Sequence, residues 1–172
     1  MATDQPVVAL DGDFRAAMRQ LAATVSLVVT CDDGAWHGMP ATAVSSLSTD
    51  PPSLLVCINR SASMHGPTSR SRRFGVVLLA DHQAELCGEF GGRASAERFG
   101  AGEWQSGPGG LPYLDDAAAV LFCEAEQEVH YGTHTIFVGR VTETRVAPDR
   151  KPLVFQEGRM GRFAPFVEDQ AQ

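Results

Sequence analysis

Between Ala41 and Arg60 the chain reads ATAVSSLSTDPPSLLVCINR, and this stretch concentrates groups able to hold a ligand. Thr42, Ser45, Ser46, Ser48 and Thr49 place hydroxyls close together, just ahead of the apolar run Leu54–Ile58. A hydroxyl both donates and accepts, so the set suits a ligand dense in carbonyl or hydroxyl groups. Asn59, Arg60, Ser61 and Ser63 follow the run, and a guanidinium there can make a charge-assisted contact to a phosphate. A solvated loop would explain the hydroxyls but not the apolar run, and a buried strand would explain the reverse. A flat polar ligand held against a sheet wall explains both.

Other candidates carry less chemistry. His130 and His134 have a spacing that seats a metal on a helix, but Gly132 lies between them at a strand end and turn, so no metal site is expected. Cys31, Cys57, Cys87 and Cys123 form no C-x-x-C pair and sit by apolar segments, which reads as reduced core thiols. Arg70, Arg72 and Arg73 read as a solvated basic face. No G-x-G-x-x-G follows a strand, and neither a P-loop nor G-x-S-x-G occurs. A net charge of −7 argues against a nucleic-acid partner. No apolar run approaches the ~20 residues of a membrane span, and the acidic N-terminus shows no signal peptide, so the expected location is cytoplasmic, off the membrane.

The elements that must position these residues are mostly strands. With 172 residues and 44% apolar composition, one domain over 13–166 is expected, with a flexible lead at 1–12 and a tail at 167–172. Phe14, Ala17, Met18 and Leu21 have helical spacing behind Asp13 as N-cap. TVSLVVTC reads as a strand; AWHGMPATAVSSLS reads as a strand that runs into irregular chain. SLLVCINR and Phe74–Ala80 are further strands, with a loop and short helix between them. Asp81 starts a second helix and Gly91-Gly92 ends it. The glycine-rich stretch from Arg93 to Leu114 carries Phe99, Trp104 and Tyr113 and reads as an ordered excursion or lid. From Val120 to Val146 two strands flank Gly132. Leu121, Cys123, Ala125 and Val129 share one face, and Phe122, Glu124, Glu126, Glu128 and His130 share a wet one. KPLVFQEGRMGRF adds a last strand-like piece. Without β-α alternation, an antiparallel barrel with flanking helices is expected.

The block MPATAVSSLSTDPPSLLVCINRSASMH resembles the flavin-contacting segment of the short-chain flavin reductase family. RFGVVLLADHQAELCGEFGG, RFGAGEWQSGPGGLPYLDDAAAVLFCEAE, THTIFVGRV and KPLVFQEGRMGRF extend the likeness in family order. The resemblance implies a mainly β, Greek-key-like antiparallel split β-barrel of the FMN-binding type. It implies hydride transfer from NADH, or NADPH, to FMN or FAD, with free reduced flavin passed to a partner monooxygenase, and a homodimer. Backbone at Thr42, Ala43 and Val44 would meet the ring edge. Ser45, Ser46 and Ser48 would hold the ribityl chain and phosphate, and Asn59, Arg60, Ser61 and Ser63 would complete the phosphate pocket. Cys57 would lie near the ring. His134 would meet nicotinamide or flavin as the catalytic candidate, although Thr133 stands where the family often has aspartate. Arg159 and Arg162 would contact the nicotinamide nucleotide, with Met160 where an aromatic is commoner. Two other readings stay open: a flavoprotein that retains FMN for an oxidase or oxygenase role, and a non-catalytic flavin- or haem-binding sensor.

Overall fold

Two hydrophobic cores, one on each face of a curved sheet, organise the chain. A computed structural model describes residues 7–92 and 95–166; the expected tail at 167–172 and the first six residues of the lead lie outside the described residues. In chain order come α1 (Val7–Arg19), β1 (Ala23–Thr24), β2 (Ser26–Asp32), β3 (Ala35–Ala41), β4 (Val44–Thr49) and β5 (Pro52–Asn59). Then follow α2 (His65–Ser71), β6 (Arg73–Leu78), α3 (Ala84–Gly92), β7 (Trp104–Ser106) and β8 (Pro112–Leu114). β9 (Ala119–Tyr131) and β10 (His134–Val146) form the long hairpin, and β11 (Leu153–Gln156) and β12 (Arg159–Arg162) end the described chain. Among the described residues no helix is long and apolar enough to cross a membrane.

The main sheet has seven strands in the order β3-β2-β6-β9-β10-β5-β4. Its pairings are antiparallel throughout, which gives the split barrel expected of the sequence. The two edge strands, β3 and β4, are consecutive in the chain and joined only by Thr42-Ala43. The edges therefore meet at that corner and leave the barrel open beyond it. Strand alternation divides the side chains between the cores. Leu27, Val29, Val77, Val120 and Phe122 enter the first. Val28, Phe74, Val76, Cys123, Val56 and Phe137 enter the second, inside the barrel.

Several elements differ from expectation. α1 begins at Val7 rather than at an Asp13 cap, so part of the expected lead is helical. The irregular chain after β3 is strand β4, with a register shift between Ser46 and Ser48 that leaves Leu47 as a bulge. The helix expected from Asp81 opens as a 3-10 turn, Asp81–Gln83, before α3. There the Gln83 side chain, not Asp81, accepts the Ala80 N–H at 2.9 Å. Phe122 is not on a wet face: it is buried in the first core while Cys123 is buried in the second, because this half of β9 runs between both. The glycine-rich excursion, of which Arg93 and its neighbour lie outside the described residues, packs as part of the first core. Phe99 meets Phe90 at 5.1 Å, Trp104 at 4.9 Å and Trp36 at 5.5 Å between ring centroids.

Candidate functional site

The barrel's open end holds a cavity of about 740 Å³ beneath the β3–β4 corner. Its inner wall is aliphatic: Val44, Leu54, Leu78, Leu121 and Val141, with Leu21 arriving from the end of α1. Hydroxyls of Thr42, Ser45, Ser46, Ser48 and Thr49 edge it, and among the described residues no charged side chain lines it. β4 arranges this by alternation: Val44 pairs with Val56 and packs on the inner core, and the serines beyond it stay exposed.

The hydroxyls are not equally available. Ser48 Oγ donates to Asp50 O at 3.0 Å and accepts the Asp50 N–H at 3.1 Å, so it holds the turn into β5. Ser45 Oγ donates to Ser46 O at 3.2 Å. Thr42 and Ser46 make no side-chain hydrogen bond among the described residues and are free for a ligand. Several lining residues escaped the sequence reading, the hydroxyl-bearing Thr24, Ser26, Ser53 and Thr144 among them. Ser26, only 1% exposed, lines the cavity, and its Oγ has no hydrogen-bond partner among the described residues. The available signal was a lone serine inside an apolar β-run.

The second group of expected residues gathers farther along β5. Cys57 is half-buried and its N–H donates to Ala43 O at 3.1 Å, which fixes the corner to β5. Asn59 Oδ1 accepts from both the N–H and the hydroxyl of Ser61 at 2.9 Å. Arg60 is clamped to the β9–β10 turn: its N–H donates to Thr133 O at 2.9 Å and its Nη2 to Gly132 O at 2.6 Å. His134 pairs in register with Asn59, is exposed, and lies 2.9 Å by Nδ1 from Thr133 Oγ1. Gly132, at φ +54°, permits that turn. Ser63 is exposed just ahead of α2. At about 3.3 Å per residue, the five steps from Leu54 to Asn59 separate cavity and turn by roughly 17 Å, the scale of an extended mononucleotide. Beside the turn, buried Thr135 Oγ1 touches His65 Nε2 at 2.8 Å and His130 Nδ1 at 2.9 Å, which gives His130 a structural role.

Other candidates sit elsewhere. Arg162 pairs with Asp81 at 3.2 Å, and Arg159 is exposed on β12, in the separate β1-β11-β12 sheet. Neither lines the large cavity. Arg70 Nε donates to Asp32 at 3.0 Å and Arg72 pairs with Glu128 at 3.2 Å, so both are engaged in surface ion pairs. All four cysteines are free. Burial pushes the Cys123 thiol up to about 12 and raises that of Cys87, so neither is a nucleophile at neutral pH.

Neutral hydroxyls around an aliphatic hollow fit the uncharged ring system of a flavin, and the Asn59–Ser61 turn with Arg60 offers polar groups for a tail. A profile described as "Flavin reductase like domain" matches residues 18–164. The reductase component of an FADH(2)-dependent resorcinol hydroxylase from Rhizobium sp. is 38% identical over 156 residues, covering 89% of this chain and 87% of its own. The FMN reductase (NADH) RutF of Pseudomonas syringae pv. syringae is 42% identical over 143 residues, covering 83% and 80%. The structure of the Streptomyces globisporus C-1027 NADH:FAD oxidoreductase SgcE6, in complex with NAD and FAD fragments, superposes with a TM-score of 0.86 at 28% identity, covering 92% and 95%.

Proposed function

The chain belongs to the flavin reductase like domain family, and we propose on that premise that it is an NADH-dependent flavin reductase supplying reduced FMN or FAD to a partner oxygenase. The observation that carries this reading is the uncharged, hydroxyl-edged cavity at the β3–β4 corner. Bound together, the two nucleotides would supply the chemistry, a hydride carrying the electron pair of the broken C4–H bond of NADH to N5 of the flavin.

The chain's own residues align and desolvate. Val44, Leu54, Leu121 and Val141 present one apolar wall to a ring face and exclude water from it. Thr42 and Ser46 hydroxyls and the corner backbone satisfy polar ring and polyol atoms. Arg60, held by Gly132 O and Thr133 O, meets the tail with Asn59 and Ser61. His134 stands at the same end, in register with Asn59, and contacts the incoming nicotinamide nucleotide away from the flavin ring. Orientation of this kind turns an encounter of two solutes into an oriented step. No acid–base triad is required. A cavity without a charged side chain also holds its ligand loosely, which suits a protein that must release reduced flavin.

Two finer assignments belong to the same proposal. Residues 13–166 form the reductase unit, and a second copy of the chain covers the exposed apolar face of α1. The test is anaerobic NADH oxidation by purified protein with added FMN, FAD or riboflavin. Stoichiometric consumption of NADH with free reduced flavin in the filtrate is expected. Flavin that stays bound to the protein, or NADH that is not consumed, would overturn the reading.

A further inference from the structure

Ser26 opens β2 at the β3–β4 corner, where it pairs with Ala41 on one side and Leu78 on the other. Its side chain shares the barrel-facing parity of Val28, yet it is polar where the strand is otherwise apolar. Ser26 lines the 740 Å³ cavity, and its Oγ is buried with no hydrogen-bond partner among the described residues. An unpartnered buried hydroxyl destabilises a fold, so the apo chain carries a penalty that an alanine would remove. Around it the walls are aliphatic and uncharged. Other hydroxyls line the hollow, Thr24, Thr42, Ser53 and Thr144 among them, but only that of Ser26 is both buried and without a partner among the described residues.

Resting on the flavin reading above, we infer that Ser26 donates its hydroxyl hydrogen bond to a carbonyl on the pyrimidine edge of the flavin ring. The apolar walls accept the ring faces, and the floor hydroxyl sets which edge enters first. Among the described residues no cation lines the cavity, so the tail points outward along β5 toward Arg60. Ser26 therefore reads the ring and is blind to the tail: riboflavin, FMN and FAD gain equally from it.

The test compares wild type with Ser26→Ala and Ser26→Thr. Loss of one neutral hydrogen bond raises Kd about 3- to 10-fold, and Ser26→Ala should do so by the same factor for all three flavins, measured by fluorescence quenching. Ser26→Thr, which keeps the hydroxyl, should restore part of the affinity. The infrared band of carbonyl-labelled flavin should lie lower in wild type than in Ser26→Ala. Apo Ser26→Ala should melt no lower than apo wild type, since an orphan group has gone; a merely structural serine predicts the opposite. In case the variant is unusable, a downshifted carbonyl band on binding to wild type is itself required. Unchanged Kd and an unchanged carbonyl band in Ser26→Ala overturn the inference alone. Wild type that binds no flavin overturns the functional reading and this inference with it.

Discussion

His134 stands exposed at the first position of β10, with Thr133 Oγ1 as its polar neighbour. Its loss leaves the sheet intact and removes one contact to the incoming nucleotide. His134→Ala should raise KM for NADH about 3- to 10-fold at an unchanged melting temperature, in steady-state assays with FMN. An unchanged KM would remove the residue from the nucleotide site. Cys123 makes a prediction of another kind. Its thiol is raised from 9.0 to about 12 by burial, so the folded state keeps a proton that the unfolded state releases. The resulting stabilisation is complete below pH 9 and declines as pH rises toward 12, by roughly 1.4 kcal/mol per pH unit. Urea unfolding between about pH 8 and about pH 10.5 should show this decline, and Cys123→Ala should lack that part of it.

At the scale of elements, the β9–β10 hairpin is the piece that both cores and the site share. Gly139 on β10 packs against the Phe74 ring; a Cβ there would lie 2.8 Å from Phe74 Cε1 and 2.9 Å from Cys123 Cβ. Gly139→Ala should therefore cost about 1–3 kcal/mol in denaturant unfolding, and a neutral result would show that the barrel interior yields more than its packing suggests. This hairpin was legible in the sequence because Gly132 and a period of two are local signals. The burial of Phe122 was not, because alternation cannot tell a wet face from a second core. β4 was read as irregular since serines carry weak strand preference and the Leu47 bulge breaks the alternation. The hydroxyl-bearing corner was visible from residue type alone, whereas Ser26, far away in sequence, becomes part of it only when β2 pairs with β3. Arg159 and Arg162 are grouped with His134 by resemblance alone; in the fold they lie on β12, which pairs with β11, and Arg162 pairs with Asp81.

At the scale of the whole molecule, the unfinished surface is α1. Phe14 and Leu21 are each 61% exposed and Met18 is 48% exposed, beside a hollow of about 400 Å³ that they share with Phe155. An apolar face of this kind needs a cover, and a second copy offers the same patch in return. On the proposed pairing, wild type should sediment as a dimer and Met18→Glu as a monomer, with the far-ultraviolet circular dichroism unchanged. Monomeric wild type would contradict the assignment. Leu21 and Thr42 line both this hollow and the large cavity, so pairing of copies and flavin affinity should fall together. Where the isoalloxazine lies decides whether the corner cavity is the flavin site. A crystal of the protein grown with excess FMN measures that directly. The predicted density puts the ring between Thr42 and Ser46 over Leu54 and Leu121, with its phosphate toward Arg60; density elsewhere on the chain, with this hollow filled only by solvent, would contradict it.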